Sequence, residues 1–408
     1  MKGMALVFFG HLNVYAIMFD EFLSYFVFDE TQIVVLSIFF IVFLVQIFFY
    51  FSYYNKPYSY VKKKNNTDDI PISSTPKVSV IIASENEAEE LAKNLPFILE
   101  QDYPDFEVIV VNNGSTDESE ALLQSLKLKN PHLYYTFLPY SNDNHFGRRK
   151  LALTIGIKAA KGDILLFTEP YSKPLSNKWI SIMANELPDG KEVVLGYSFY
   201  SKTKSFFNKM ACFDNFFFSM QYLSMAIKNK GYIGTYRNIA FKKRLFFDNK
   251  GFAAHLNLEN GEDVFINQII TPYNTTVAIC QDSFIETSIE RYSLWKQIKK
   301  SYFQTKANLR GSVALIFSLE TFSRYLFYLI LIALIIYSIY AQHWALLGIT
   351  ILLFLIRFII QLLIVNKSGK YFHSGKFYLM LLLLDIFQPI YNLKFISGRR
   401  GKSLKRRR

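Results

Sequence analysis

Cysteine and acidic residues are scarce in this chain. Its 408 residues include only two cysteines, Cys212 and Cys280, and 33 aspartates and glutamates against 46 lysines and arginines. Two cysteines cannot build a disulfide framework, which argues against a disulfide-stapled secreted domain and favours a reduced, cytosolic one. The net charge of +13 raises the question of whether the chain binds nucleic acid.

The positions of the basic residues answer that question. They follow the first apolar stretch, flank the later ones and fill the C-terminal tail from Arg399 to Arg408, whereas the connector Gln342-His343 has neither lysine nor arginine. By the positive-inside rule, this pattern places the soluble part of the chain in the cytoplasm. Basic loops beside anionic lipid account for the surplus charge, so we expect membrane lipid as a partner and no nucleic acid.

Three apolar stretches are long enough to cross a bilayer as helices. Residues 33–54 and Tyr325–Gln342 contain no charge, and Trp344–Val365 contains a single one, Arg357. We therefore expect a multi-pass protein of the cell membrane, with transmembrane helices at 33–54, 321–342 and 343–366.

The two ends of the chain allow several interpretations. Residues 1–32 include a short apolar segment that fits a signal-like segment, an interfacial stretch or upstream sequence that is not translated. Near the other end, Phe377–Phe395 contains Asp385, and a crossing there would carry the basic tail outside. We expect residues 367–408 to form an interfacial or re-entrant helix followed by a basic tail.

A soluble domain is predicted over 77–320, after a linker at 55–76 that is rich in Lys, Asn, Ser and Pro. Short apolar strands recur in it, each followed by a polar turn, at 78–82, 106–111 and 163–167. Their spacing leaves room for one crossover helix per unit, which is typical of a parallel sheet. Because such sheets bind ligands outside the carboxyl ends of their strands, the polar turns are the expected site of a nucleotide.

Six segments of this domain carry motifs in a fixed order. They are VSVIIASENE at 78–87, EVIVVNNGSTD at 107–117, KLALTIGIKAAKGDILLFTEPYSKP at 150–174, GTYRNIAFKKRLFFDNKGF at 234–252, GED at 261–263 and WKQIKKS at 295–301. Together they resemble the family-two glycosyltransferases of the GT-A fold, over roughly Lys77 to Thr305. The resemblance implies an α/β, Rossmann-like GT-A domain with a mostly parallel sheet, one N-terminal membrane helix and two or three C-terminal ones.

The resemblance also implies a reaction. A sugar would pass, with inversion, from a nucleotide-sugar donor, by resemblance UDP-linked, to a lipid-linked or glycan acceptor of the cell envelope. Asp263 would act as general base with Glu262 beside it, although from the residues alone this pair could equally cap the following helix. The implied donor side comprises Ala83, Glu85, Glu87, Asn112, Asn113, Gly114 and Lys150, and the acceptor side Arg237, Asn238, Gln297 and Lys300.

The DxD turn departs from the family's pattern. Glu169 would hold a divalent metal, Mn²⁺ or Mg²⁺, but Tyr171 stands where the second carboxylate is expected, and a neutral phenol is a poor ligand for a hard cation. Basic side chains could face the phosphates instead: Arg148, Arg149, Lys150 and Lys300. The two arginines could also be only a solvated helix start.

Two further departures, together with Tyr171, motivate a second hypothesis. Asn112 stands where the family has an aspartate that accepts a hydrogen bond from the uracil N3–H. Lys300 and Ser301 stand where a QxxRW motif has arginine and tryptophan. The alternative is a catalytically degenerate scaffold subunit of a membrane complex. The retained Glu262-Asp263 pair favours an active enzyme, since a scaffold has no need of it.

Overall fold

The computed structural model describes residues 27–64, 75–140, 147–258, 261–289, 291–306, 308–309 and 313–397. Most of the predicted N-terminal segment, the middle of the predicted linker and the basic tail lie outside the described residues. The chain forms two compact units. The membrane-helix unit comprises the described residues up to Phe51 with Phe317–Leu363, and the α/β unit comprises Ser52–Ile316 with the described residues from Ile364 onward.

The helices and strands alternate through most of the α/β unit. The helices are α1 Glu30–Phe49, α2 Lys56–Lys64, α3 Ala88–Leu99, α4 Ser119–Lys129, α5 Arg148–Ala159, α6 Trp179–Asn185, α7 Phe206–Ile227, α8 Arg244–Asp248, α9 Gly261–Ile269, α10 Tyr292–Lys306, α11 Val313–Tyr340, α12 Trp344–Tyr371 and α13 Met380–Ser397. The strands are β1 Val78–Ser84, β2 Phe106–Asn112, β3 Leu133–Phe137, β4 Ile164–Phe167, β5 Ser172–Pro174, β6 Val193–Gly196, β7 Ser198–Tyr200, β8 Ile239–Lys242, β9 Thr275–Ala278 and β10 Ile285–Thr287.

The main sheet of the α/β unit has the strand order β3-β2-β1-β4-β8-β6-β9. Strands β3, β2, β1 and β4 run parallel, and β8 is antiparallel to both of its neighbours. The register pairs Ser84 with Asn112 and Ile81 with Phe167, so the carboxyl ends of β1, β2 and β4 share one edge. The predicted, mostly parallel α/β sheet is therefore confirmed.

The core follows from the apolar character of the central strands. Every residue of β1 and β4 is buried, as expected for parallel strands that are covered on both faces. Helix α3 packs Leu91, Leu95 and Ile98 into the same core as Val80 and Val108, and their spacing of four and three residues puts them on one helix face.

Three helical segments are long and apolar enough to cross a membrane: Glu30–Lys64, Leu315–Tyr340 and Trp344–Tyr371. They agree with the prediction of one such helix near the N-terminus and two near the C-terminus. Inside the membrane-helix unit, Phe39, Phe327 and Leu346 are completely buried and form its centre.

Arg357 lies inside this helical unit. Its guanidinium donates to Gln46 Oε1 at 2.9 Å and to Tyr328 Oη at 3.2 Å, and it lies 4.9 Å from the ring centre of Phe327. A charge at such depth is costly unless polar groups surround it. Arg357 therefore links α1, α11 and α12 through hydrogen bonds and a cation–π contact.

Two predicted non-globular segments contain packed helices. The linker at 55–76 begins with α2, in which Pro57 and Val61 are buried. The segment predicted as interfacial or re-entrant forms α13, in which Leu381 and Leu384 are buried. Helix α13 is not among the three helices found long and apolar enough to span, and an interfacial position for it stays a prediction.

Helix α5 lies unusually close to the sheet. A Cβ atom at Gly156 would come within 2.8 Å of Ile81 Cγ2 and 3.2 Å of Val111 Cγ2, both shorter than ordinary van der Waals contacts. Glycine at this position therefore sets the distance between α5 and strands β1 and β2, and with it the position of the residues at the start of α5.

We expect Gly156→Val to destabilise the fold by about 1–3 kcal/mol, because the added methyl groups must push α5 away from β1. The measurement is the Tm of the detergent-purified chain. Gly348→Val is the matched control, since Gly348 is also helical and a Cβ there would meet nothing within 4 Å. Equal Tm values for the two variants would contradict close packing of α5.

Candidate active site

The polar turns after β1 and β2 are hydrogen-bonded to each other. Asn86 N donates to Ser115 Oγ at 2.9 Å, and Thr116 N donates to Asn86 Oδ1 at 2.8 Å. Ala88 N, at the start of α3, donates to Asp117 Oδ2 at 2.9 Å. The two turns that the sequence assigns to a nucleotide therefore form one connected surface at the carboxyl edge of the sheet.

The two adjacent asparagines after β2 have different environments. Asn112 Oδ1 accepts from Ser115 N at 2.9 Å, and Asn112 Nδ2 donates to Glu120 Oε2 at 3.3 Å. Asn113 Nδ2 donates to Glu85 Oε2 at 2.8 Å, whereas Asn113 Oδ1 is buried and has no hydrogen-bond partner in the described part of the chain. The buried hydrogen-bond acceptor that could bind a nucleobase is therefore Asn113 Oδ1.

Gly114 allows the next strand-end loop to approach this turn. Its φ is +77°, and a Cβ there would lie 2.5 Å from Arg148 Nη2. The same Nη2 donates to Asn113 O at 3.2 Å and to Pro139 O at 2.9 Å. Arg148 therefore links the turn after β2 to the loop after β3 through backbone carbonyls. Ala83, a predicted donor-side residue in β1, is buried.

Three charged side chains from distant segments meet beside these turns. Arg149, from the first turn of α5, forms an ion pair through Nη2 with Glu169 Oε1, and its Nε lies 3.4 Å from Glu262 Oε1. The two carboxylate side chains are 7% and 6% exposed, respectively, and the arginine side chain is 38% exposed. Burial lowers the pKa of Arg149, but Glu169 and Glu262 more than offset this effect, so the net pKa is raised and the guanidinium stays charged.

The surrounding carboxyl groups hold protons more tightly than usual. Burial, reinforced by Asp263 and opposed by Arg149, raises the pKa of Glu262 to about 7. Burial and the nearby Glu169 raise the pKa of Glu87 to about 7. Both groups therefore exchange protons near neutral pH. Glu262 Oε2 is also buried without a hydrogen-bond partner among the described residues, which leaves it available to a hydroxyl group.

Asp263, the predicted base, is hydrogen-bonded to Ser301, which stands where the QxxRW motif has tryptophan. Ser301 Oγ in α10 donates to Asp263 Oδ2 at 2.8 Å. Burial raises the pKa of Asp263, and the Ser301 hydrogen bond and Arg149 limit that rise. A carboxylate with a raised pKa and a fixed orientation suits proton abstraction.

Lys150 binds backbone carbonyls of the segment before α9. It is 2% exposed, and its Nζ donates to the carbonyl oxygens of His255 at 3.3 Å and Leu256 at 3.2 Å, and to that of Leu258. Lys150 therefore fastens α5 to the segment that precedes α9. Its predicted donor role stays a prediction, and its contacts favour a positioning role.

The predicted acceptor-side residues Arg237 and Asn238 are buried. Arg237 donates to Ser198 Oγ at 3.0 Å and to Asn215 Oδ1 at 2.8 Å. Asn238, 1% exposed, accepts from Trp179 Nε1 at 3.0 Å and donates to backbone carbonyls on its other side. These contacts favour structural roles for both residues, and acceptor contact remains a prediction.

Gln297 and Lys300 are exposed on α10, the helix that also carries Ser301. Their acceptor roles also remain predictions.

The residues at the DxD position do not fit a divalent cation as they stand. Glu169 is paired with Arg149, and burial, together with Glu169, raises the pKa of Tyr171 well above its usual value, so the phenol stays neutral. Among the described residues, no group of three or more His, Cys, Asp or Glu side chains is arranged to hold a metal. Hard cations need several charged or carbonyl oxygens.

Comparison with known proteins bears on the α/β unit. Residues 79–246 match the family described as Glycosyl transferase family 2, so this part of the α/β unit is a domain of that family. The predicted resemblance to family-two glycosyltransferases is thus confirmed over these residues.

Two relatives share part of this domain. The chain is 31% identical over 135 residues to the uncharacterized glycosyltransferase YfnE of Bacillus subtilis, covering 32% of each chain. It is 28% identical over 113 residues to the GalNAc(5)-diNAcBac-PP-undecaprenol beta-1,3-glucosyltransferase of Campylobacter jejuni, covering 27% of this chain and 35% of that one. The alignments span about a third of the length of these relatives.

A solved structure shares the fold. The mannosyltransferase PcManGT of Pyrobaculum calidifontis, determined in complex with GDP-Man and Mn²⁺, superposes with a TM-score of 0.54 at 17% identity. The match covers 84% of this chain and 96% of the mannosyltransferase. The predicted GT-A fold is confirmed.

We expect Ser301→Ala to move the acid limb of the pH–kcat/KM profile for sugar transfer upward by roughly 1–2 pH units. Removing the hydroxyl donor destabilises the Asp263 carboxylate, so its pKa rises and the base is lost at a higher pH. Ser301→Thr keeps a hydroxyl and should retain the wild-type profile. A lower rate in Ser301→Ala with an unshifted limb would contradict this role.

Proposed function

We propose that this protein is a membrane-anchored glycosyltransferase that moves a sugar from a UDP-linked donor to a lipid-linked or glycan acceptor at the cytoplasmic face of the cell membrane. One observation carries the proposal. Ser301 holds the Asp263 carboxylate beside the cluster of Arg149, Glu169 and Glu262, at the sheet edge where α/β folds bind ligands. Such a transfer requires a general base, a cation beside the diphosphate and a polar surface that binds the nucleoside.

The chemistry is an inverting displacement. An acceptor hydroxyl oxygen attacks the anomeric carbon as the bond from that carbon to the diphosphate oxygen breaks, and the nucleoside diphosphate leaves with the electron pair. The hydroxyl proton passes to the Asp263 carboxylate. Glu262, with a buried oxygen that lacks a partner among the described residues, would contact a sugar hydroxyl.

The donor base would lie on the connected turns after β1 and β2. Asn113 Oδ1, already buried and available, would accept the N3–H of uracil, while the Asn112 amide stays within the turn. This arrangement supports UDP as the nucleotide without the aspartate that the family carries at Asn112.

We expect Asn113→Ala to weaken UDP binding roughly tenfold, because one hydrogen bond to the base is lost. Isothermal titration of UDP into the full chain measures the effect. Asn185→Ala is the control, since Asn185 is exposed at the end of α6. Unchanged affinity in Asn113→Ala would place the base elsewhere.

The acceptor proposal rests on the membrane helices and on a relative. Three apolar helices fit membrane association, and the Campylobacter relative is named for action on an undecaprenol-linked substrate. The basic residues beside the apolar stretches favour a cytoplasmic position for the α/β unit. A domain anchored there would meet polyprenyl-linked acceptors at the bilayer surface.

The test is release of free nucleotide from a panel of UDP- and GDP-sugars by the detergent-purified full chain, with membrane lipid extract as acceptor. We expect Asp263→Asn to lower turnover by about 10²–10⁴-fold, as loss of a general base does. Asp248→Asn, an exposed carboxylate at the end of α8, should retain wild-type turnover.

The scaffold hypothesis makes the opposite prediction. A degenerate subunit would release no nucleotide from any donor, and no donor would raise its Tm, although a ligand that binds the native state must do so. Those two results together would contradict the enzyme hypothesis and support the scaffold hypothesis.

A further inference from the structure

We infer that Arg149, rather than a divalent metal, is the cation that binds the donor diphosphate in this chain. The inference rests on the proposed function and concerns the same site. Nothing in the family match or in the relatives' names assigns a role to Arg149.

Arg149 lies between two carboxylates of the candidate site. Arg149 reaches from the start of α5 to a point between Glu169, which follows β4, and Glu262, in the first turn of α9. A cation that bridges carboxylates from these segments neutralises negative charge that a metal would otherwise have to neutralise. The guanidinium thus supplies the positive charge from within the chain.

Arg149 is more accessible than the carboxylates that it pairs with. Both carboxylates are almost fully buried, whereas the arginine side chain is 38% exposed. Nη2 and Nε face the carboxylates, and Nη1 has no hydrogen-bond partner among the residues that the structure describes. A guanidinium has five N–H donors in a planar fork and binds phosphate oxygens in pairs.

The two basic neighbours of Arg149 in the sequence bind backbone carbonyls. Lys150 Nζ donates to three of them, and Arg148 Nη2 donates to two. Of these three consecutive cations, Arg149 is the one that forms ion pairs with Glu169 and Glu262.

The chemistry of the DxD turn favours the same conclusion. Tyr171 stands where the resemblance expects a carboxylate, and Glu169 is already in an ion pair. A diphosphate approaching Glu87, Glu169, Glu262 and Asp263 requires positive charge from some source, and the guanidinium that is paired with Glu169 lies within this cluster.

The experiment measures the affinity of the detergent-purified full chain for UDP by isothermal titration, once in EDTA and once each in Mn²⁺ and Mg²⁺. We expect the wild-type dissociation constant to be the same within threefold in all three buffers. Arg149→Ala should weaken binding in EDTA by about 10–100-fold, as loss of a charge-assisted contact does. Arg149→Lys should recover only part of this loss, because an ammonium lacks the planar fork.

The matched control is Arg244→Ala. Arg244 is also paired with a glutamate, Glu192, but on the surface and away from the site, so its loss should leave UDP affinity unchanged. Thermal unfolding of each variant identifies one that does not fold. If Arg149→Ala fails to fold, the role of Arg149 is tested by two other measurements. These are the wild-type UDP affinity in the three buffers and the UDP affinity of Arg149→Lys.

Two results would overturn the inference while leaving the proposed function standing. One is wild-type binding that strengthens tenfold or more when Mn²⁺ or Mg²⁺ replaces EDTA. The other is a folded Arg149→Ala that binds UDP as tightly as the wild type in EDTA. Failure of the wild-type chain to bind UDP, GDP or any nucleotide sugar under all three conditions would overturn the proposed function, and the inference with it.

Discussion

The contact of Arg149 with Glu169 and Glu262 is the interaction on which the site depends. It joins the start of α5, the turn after β4 and the start of α9, three segments that are far apart in the sequence. Bringing buried carboxylates together without a cation would cost several kcal/mol by desolvation and repulsion. The guanidinium therefore offsets the charge of the two carboxylates, and we propose that it also provides the charge that a diphosphate needs.

Other features of the α/β unit maintain that contact. Gly156 lets α5 lie directly on β1 and β2, and Lys150 fastens the same helix to the segment before α9. Ser301 then fixes Asp263, the neighbour of Glu262, from α10. Arg149 and Lys150 are adjacent in the sequence but have different partners. Arg149 contacts carboxylates of the site, whereas Lys150 binds backbone carbonyls.

The sheet and the family could be predicted from the sequence because apolar strands at crossover spacing and ordered motifs are local signals. Particular side chains could not be placed, because tertiary contacts decide their roles. Neighbouring helix residues point about 100° apart, and spacing alone does not say which of Arg148, Arg149 and Lys150 faces the carboxylates. The Ser301–Asp263 hydrogen bond joins residues 38 positions apart. Asn112 and Asn113 are adjacent and chemically identical, and only the fold decides that Asn112 Oδ1 accepts from the turn while Asn113 Oδ1 has no partner among the described residues.

The most direct test of this account is a structure of the full chain with an intact UDP-sugar bound in the presence of EDTA, with Asp263→Asn used to prevent turnover. The account predicts diphosphate oxygens within hydrogen-bonding distance of the Arg149 guanidinium and an anomeric carbon that faces residue 263. A diphosphate that lies away from Arg149, or an anomeric carbon that residue 263 cannot approach, would contradict it.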